Sequence, residues 1–532
     1  MKLDTHLPLS TDPRPHPSSA HAQKQQDPPL EIDGSRFTSM SLLGLTRYNK
    51  LRVERGEAPA PLNLAGKSRL TTDQLPGQVR QVEYHPLFKD DTIEVTRTCT
   101  VSYDNDSAYG SEQLIDQLVI TTSNAADTVH VKNAANGNLI VNGKHYDLKL
   151  EADQVLVIKT LGADDKVTID PAVDWDVTID GGDGDDEINA LGSGAIRAFG
   201  GKGKDFISLG SGLGYAEGND DDDVIHAGTG KSVIYGNNGR DRLYGHMGAG
   251  AGKAYLDGGN DDDYIRAGSS QTVINSGRGN NVLLGNGHTT FYSGSGQNRI
   301  RATGEENRIF TKDTDAVLRT PSTERHRITP SSAGSAAFSI EGSTEFKQRF
   351  EDDLEMLRSS PAGQKMLSEL DALAQRSGAP IKVIEGESEE NSYYLPNSEY
   401  INQLRAQGNT QDLKDDPNIG MIVAGKRGEP IPMGTLIYNP RYFNENTLPI
   451  TYLFHELAHA YNFKTGTVFS GNVGMERNVE LQAIGLPTSA APFDFDDDPT
   501  TPPTNTNPDP FNENALRREM GVPLRESYLG DY

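Results

Sequence analysis

The chain has 532 residues, with 76 acidic against 50 basic side chains and a net charge of −26. That length implies two or three domains. So acidic a surface repels phosphate backbones and anionic headgroups, which excludes nucleic acid and membrane surfaces as expected partners, and no apolar run approaches the ~20 residues of a bilayer span.

The first 112 residues are polar and rich in Pro, Ser and Gln. Too little apolar surface is present there to offset chain entropy, so residues 1–112 are expected to be disordered. Their start, MKLDTHLPLSTDPRPHPSSAHAQKQQDPP, lacks the apolar core of a Sec signal peptide. A flexible tail and a secretion or targeting segment both fit, the latter with a secretion chaperone as its partner. The single cysteine, Cys99, rules out an internal disulfide, which suits synthesis in a reducing cytosol and a Sec-independent route of export.

Residues 113–310 form a repeat array. GGDGDDEI starts at Gly181, GGKGKDFI at Gly200, GNDDDDVI at Gly218, GNNGRDRL at Gly236 and GGNDDDYI at Gly258. SGRGNNVL from Ser276 and SGSGQNRI from Ser293 continue the series. A period near 18, with turn residues followed by an aliphatic one, predicts a parallel β-solenoid. Its inner ladder should be Ile188, Ile207, Ile225, Leu243, Ile265, Leu283 and Ile300. The one longer step, between Gly236 and Gly258, places an insertion at HMGAGAGKAY. Segments such as LVITTS, DTVHVKN and NLIVNG read as less regular coils upstream.

These repeats resemble the GGxGxDxUx nonapeptides of RTX proteins, and the resemblance implies calcium between successive turns. Asp186, Asp205, Asp223, Asp241 and Asp263 keep the motif's aspartate, whereas Asn281 and Asn298 replace it. The motif recurs once per 18 residues rather than on both half-turns, and LGSGAIRAF, LGSGLGYAE and AGTGKSVIY carry no Asp. A calcium ion prefers 6–8 oxygen ligands. The solenoid is therefore expected to fold largely on apolar stacking, either as a metal-free body with Asp-rich corners or with Ca2+ adding modest stability.

Residues 311–337 read as a linker, and residues 338–532 as an α+β domain. Helices are predicted over 344–357 and 362–376, the second with the stripe Met366, Leu367, Leu370 and Leu373. IKVIEG, MIVAG and GTLIYNP are expected strands, and residues 493–507 an exposed loop.

TYLFHELAHAYNF predicts a helix with His455 and His459 four residues apart on one side. Two imidazoles so placed reach one tetrahedral Zn2+, and Glu456 beside them is positioned to take a proton from water. The bland alternative is a surface helix with two solvated histidines. A third ligand must come from elsewhere, because Asn462 and Thr465 break the metzincin extension. GMERNVELQAIGL offers Glu480 and Glu476 on one expected helix face; Glu480 is favoured, with the other as a supporting partner.

FHELAHAYN, NVELQAIGL and NENALRREMGVPLRESY together resemble the NleD-type zinc metallopeptidases, type III secretion effectors of bacteria. The resemblance covers about 338–528, including SSPAGQKML. It implies a gluzincin-like fold, one zinc per chain on His455, His459 and Glu480, Glu456 as general base, and a protein substrate inside a target cell. Arg517, Arg518, Arg525 and Tyr528 fall in its last motif and are candidates for oxyanion stabilisation, with surface salt bridges as the plainer role for the arginines. Tyr438 is either on a substrate-pairing strand or in the core. The competing reading is a calcium-responsive solenoid adhesin or scaffold with a metal-binding domain that lacks turnover.

Overall fold

The computed structural model describes residues 30–33, 69–75, 78–104, 112–134, 137–141, 146–150, 154–248, 250, 252–386, 391–406 and 415–529. Among them no helix is long and apolar enough to cross a membrane. Two long sheets, of 13 and 14 strands, run face to face and make the solenoid. In the first, Lys166–Ile169, Glu187–Ala190 and Phe206–Leu209 pair in parallel, and the register continues coil by coil to Ala316–Arg319. Ile188, Ile207, Ile225, Leu243, Ile265, Leu283 and Ile300 are register partners and all are buried, as the period required. The insertion lies between Tyr244 and Ala254, where a strand of each sheet ends and begins.

The solenoid is longer than its motifs indicated. Arg308–Thr311, Ala316–Arg319 and Glu324–Arg327 add strands to the two sheets, so much of the expected linker is solenoid. These coils lack the Gly/Asp turns, and Ala316, Leu318 and Arg319 face solvent, which hides their alternation. At the other end, most of the expected disordered segment lies outside the described residues. Within it, however, Arg69–Leu75, Gln78–Lys89 and Glu94–Asp104 form an antiparallel meander, which joins the first parallel coil through Glu112–Thr121. Val95, Cys99 and Val101 alternate inward, a pattern masked in the sequence by the polar stretch preceding it. Arg97 is fully buried there and donates to Asp116, with Nε to Oδ1 at 2.9 Å. The meander covers the end of the solenoid, as terminal units of a repeat array must.

The C-terminal domain stacks helices on a four-stranded sheet. The helices Thr344–Arg358 and Pro361–Ser377 match their predicted spans closely; each begins at a serine cap, and the second has Pro361 in its first turn. Ile381–Glu385 and Met433–Tyr438 are the expected strands. MIVAG is not a strand and makes only isolated bridges at Met421 and Val423, because Gly420 and Ala424 turn the chain with positive φ. The 493–507 segment is irregular but anchored: Phe493 and Phe495 pack on Phe469, and buried Asn507 bonds Asn462 and Gln482.

The domain does not hang from the solenoid; the two share a core. Tyr215, Tyr235, Tyr255 and Tyr292 project from the outer face of the 14-stranded sheet into the same apolar cluster as Phe346, Phe350 and Leu354. The Arg349 guanidinium lies 3.2 Å from the centre of the Tyr235 ring, a desolvated cation–π contact. Arg441 grips Glu217 with two bonds of 3.2 and 3.0 Å, and Lys231 donates to the carbonyls of Asn444, Glu445 and Thr447. Arg308 donates to the carbonyls of Arg518 and Glu519 at the end of the last helix.

Candidate functional site

The central helix, Pro449–Thr465, starts with Pro449 in its first turn and stops at Gly466, whose φ of 68° suits a residue without Cβ. It is buried on almost every side, and this disposes of the solvated-histidine alternative. His455, Glu456 and His459 are 2%, 6% and 7% exposed. Donor atoms of these three residues lie within 4.8 Å of one another.

Glu480 completes a tighter group. Its Oε2 stands 3.1 Å from His459 Nε2 and 3.4 Å from His455 Nε2, and the two Nε2 atoms are 3.0 Å apart. Donors at ~2.0–2.1 Å from one tetrahedral ion stand about 3.3 Å from each other, so this donor set fits a zinc-sized cation. Glu480 comes from the short helix Asn478–Ile484, and Arg477 holds its other oxygen at 2.5 Å. Burial opposes the Glu480 charge, yet His459, His455 and Arg477 together keep its carboxyl well below the usual range.

Glu476 is not on that helix. It lies in a two-residue strand just before it, and its Oε1 accepts the backbone N–H groups of Tyr528 and Leu529. The expected shared helix face was wrong because the helix begins only at Asn478. Glu480→Ala is accordingly expected to weaken metal retention far more than Glu476→Ala in a chelator competition. Equal losses would remove Glu480 from the donor set.

The sequence reading missed Glu513. This residue opens the last helix, Glu513–Met520, behind an Asn512 cap, and its Oε2 stands 3.0 Å from His455 Nδ1. A carboxylate accepting from Nδ1–H leaves Nε2 free to bind metal. Burial works against the Glu513 charge, but Arg517, His455 and Arg525 hold its carboxyl below the usual range. Arg517 Nε donates to it at 2.6 Å and an Arg525 guanidinium N–H at 3.2 Å. Both arginines are therefore buried braces of Glu513 rather than surface ion pairs; Arg518 is the surface one, paired with Asp509. The available signal was NENALRREM, an Asn cap followed at once by an acid with Arg four residues on. Glu513→Gln is expected to lower metal affinity by about 10–100-fold, measured in the same competition.

Tyr528 stacks on His455 with ring centroids 6.3 Å apart, whereas Tyr438 donates to Asp353 Oδ2 and is wholly buried in the core. Glu456 faces the edge strand Tyr393–Asn397, which is antiparallel to Met433–Tyr438, and accepts the backbone N–H of Tyr394. Burial pushes the Glu456 carboxyl up to about 8, against the pull of His459.

Residues 335–528 match the M91 peptidase family, described as effector protein. The M91 match coincides with the resemblance read from HELAH and its flanking motifs. Residues 217–250 and 248–283 match the RTX calcium-binding nonapeptide repeat. No curated protein and no solved structure gives a match.

The RTX coils carry a column of acids. Oδ1 of Asp186, Asp205, Asp223, Asp241 and Asp263 each accepts the backbone N–H of the aspartate one coil earlier, at 2.7–2.9 Å. Their Oδ2 atoms are buried and meet no hydrogen-bond donor among the described residues. A Cβ at Gly218 would stand 2.1 Å from Asp223 Oδ2, so the leading glycine makes room for the carboxylate. Where Asn281 takes over, Ser276 replaces the glycine, and Asn281 Nδ2 donates to the Ser276 and Arg278 carbonyls of its own turn. In the aspartate coils a proton or a cation must do what that amide does. Burial pushes Asp205 and Asp241 to about 7 and Asp223 and Asp263 to about 9.

Carboxyls raised in the native state favour folding at low pH, and that contribution fades as pH climbs from the ordinary carboxylate range through 7–9. In EGTA, the melting temperature should thus fall between pH 5 and pH 9 while β structure persists at room temperature. Calcium at pH 8–9 should restore it. A melt independent of pH and of calcium would contradict this.

Proposed function

We propose that the M91 domain is a zinc-dependent endopeptidase of an effector that is secreted and acts on a protein inside a target cell. The observation that carries the reading is the convergence of His455 Nε2, His459 Nε2 and Glu480 Oε2 at 3.0–3.4 Å beside a buried Glu456. A zinc ion held by these donors would supply Lewis-acid activation of water and of the scissile carbonyl. Glu456 takes the proton from the attacking water and delivers it to the leaving amine. Glu513, braced by Arg517 and Arg525, holds the His455 ring in the required tautomer. An extended substrate running along the edge strand Tyr393–Asn397 would present its carbonyl towards Glu456.

The type III route is carried by the NleD resemblance alone. The test is N-terminal profiling of a target-cell lysate treated with the full chain, with the chain plus a zinc chelator, and with Glu456→Gln. New termini formed only by the untreated wild type support the proposal. Identical profiles in all three, with zinc bound in the first, favour the scaffold reading.

A further inference from the structure

The 13-stranded sheet has an outer face that points away from the M91 domain, which sits on the opposite sheet. From the coil of Phe206 onward, one register column on that face reads Phe206, Val224, Arg242, Tyr264, Val282 and Arg299. The adjacent column reads Ser208, His226, Tyr244, Arg266, Leu284 and Arg301. Neither contains a carboxylate, although the chain carries a net charge of −26. His226 and Tyr244 stack at 4.7 Å, and Phe206 and Tyr264 extend the row of rings at either end. Phe206 is 38% exposed, and Leu318, beyond the last arginine, is 66% exposed.

The arginines are the telling part. On neighbouring parts of the solenoid several basic side chains are matched: Lys166 with Glu187, Lys202 with Asp183, Lys204 and Arg240 with Asp222. Arg242, Arg299 and Arg301 are exposed, Arg266 is half-buried, and none of the four side chains makes an ion pair or hydrogen bond among the described residues. Strands spaced ~4.8 Å apart carry this strip over roughly 25 Å. Unpaired guanidiniums set among rings and aliphatic side chains are what a protein surface offers to a partner of opposite charge with apolar side chains of its own.

From this we infer that the outer face of the 13-stranded sheet is a docking surface for an acidic, aromatic-bearing stretch of polypeptide. Polypeptide is favoured over single-stranded nucleic acid, because the turns leading into these strands carry Asp221, Asp261 and Asp262. Those exposed acids would repel a continuous phosphate chain, whereas a peptide can place its carboxylates on the arginines alone. Docking itself is independent of catalysis; a role in recruiting substrate rests on the peptidase reading above.

The experiment measures binding of the full chain to a random Glu/Tyr copolymer, to poly-Glu, to poly-Lys and to an oligo-dT strand. The Glu/Tyr copolymer is expected to bind most tightly, with affinity falling as salt rises. Combined Arg242→Glu, Arg266→Glu, Arg299→Glu and Arg301→Glu should weaken it at least tenfold, with metal content and circular dichroism unchanged. If that variant does not fold, Arg299→Gln with Arg301→Gln decides, with a loss of about threefold or more expected. Unaltered copolymer binding in the folded variant overturns the inference, and so does preference for oligo-dT. Loss of copolymer binding with cleavage of a short peptide intact upholds docking, and absence of any cleavage would count against the peptidase reading alone.

Discussion

Glu456→Gln is expected to keep about one zinc per chain while slowing peptide cleavage by ~10²–10⁴. The carboxylate is 6% exposed and accepts the Tyr394 backbone N–H, so it is held at the site without being one of the three converging donors. Glutamine preserves its shape and removes its capacity to accept a proton. Elemental analysis and a cleavage assay on the same preparation separate the two outcomes. A variant that cleaves at the wild-type rate would remove Glu456 from the mechanism, and one that loses zinc would recast it as a ligand.

The second large effect concerns the border between the two bodies. Residues 335–532, the extent of the M91 match carried to the end of the chain, should not fold by themselves as they do in the whole protein. Tyr215, Tyr235, Tyr255 and Tyr292 are at most 1% exposed and pack into the domain's own core. An aromatic side chain buries ~150–250 Å², so uncovering several rings and their partners costs on the order of 10 kcal/mol. That is comparable with the whole stability of an ordinary domain. The isolated fragment is therefore expected to aggregate or to bind a hydrophobic dye, and to retain little zinc. A soluble fragment with a cooperative melt and stoichiometric zinc would show the interface to be dispensable. Residues 311–337 read as a linker in the sequence, whereas in the structure the domain is built directly on the solenoid.

That difference marks what a one-dimensional pattern can carry. Local periodicities were legible: the 18-residue step located the Ile188–Ile300 ladder, and the i, i+4 spacing put His455 and His459 on one side of a helix. Glu480 could be chosen over Glu476 by position, although the reason, a helix that begins only after Glu476, was not visible. Glu513 was missed because its role depends on a contact 58 residues away from His455, to which no motif points. The solenoid's final coils were missed because their turns are ordinary and their strands mostly exposed. Nothing in the spacing of Tyr215, Tyr235 and Tyr255 distinguishes an outward residue that meets solvent from one that meets another domain.

The tyrosine row also bears on how such a chain can evolve. Repeat arrays ordinarily gain and lose units with little penalty, because each coil touches only its neighbours. Here the coils from Phe199 to Phe310 are read by a rigid surface at fixed places: Arg349 and Arg441 engage different coils, and Arg308 reaches from a late coil to the carbonyls of Arg518 and Glu519. Duplication or loss of one unit in that stretch would slide every later tyrosine past its partner. Length variation among descendants should accordingly collect in the coils before Arg197 and Phe199, which already meet Phe443 and Arg441, so that the earlier array can behave as a ruler of adjustable length.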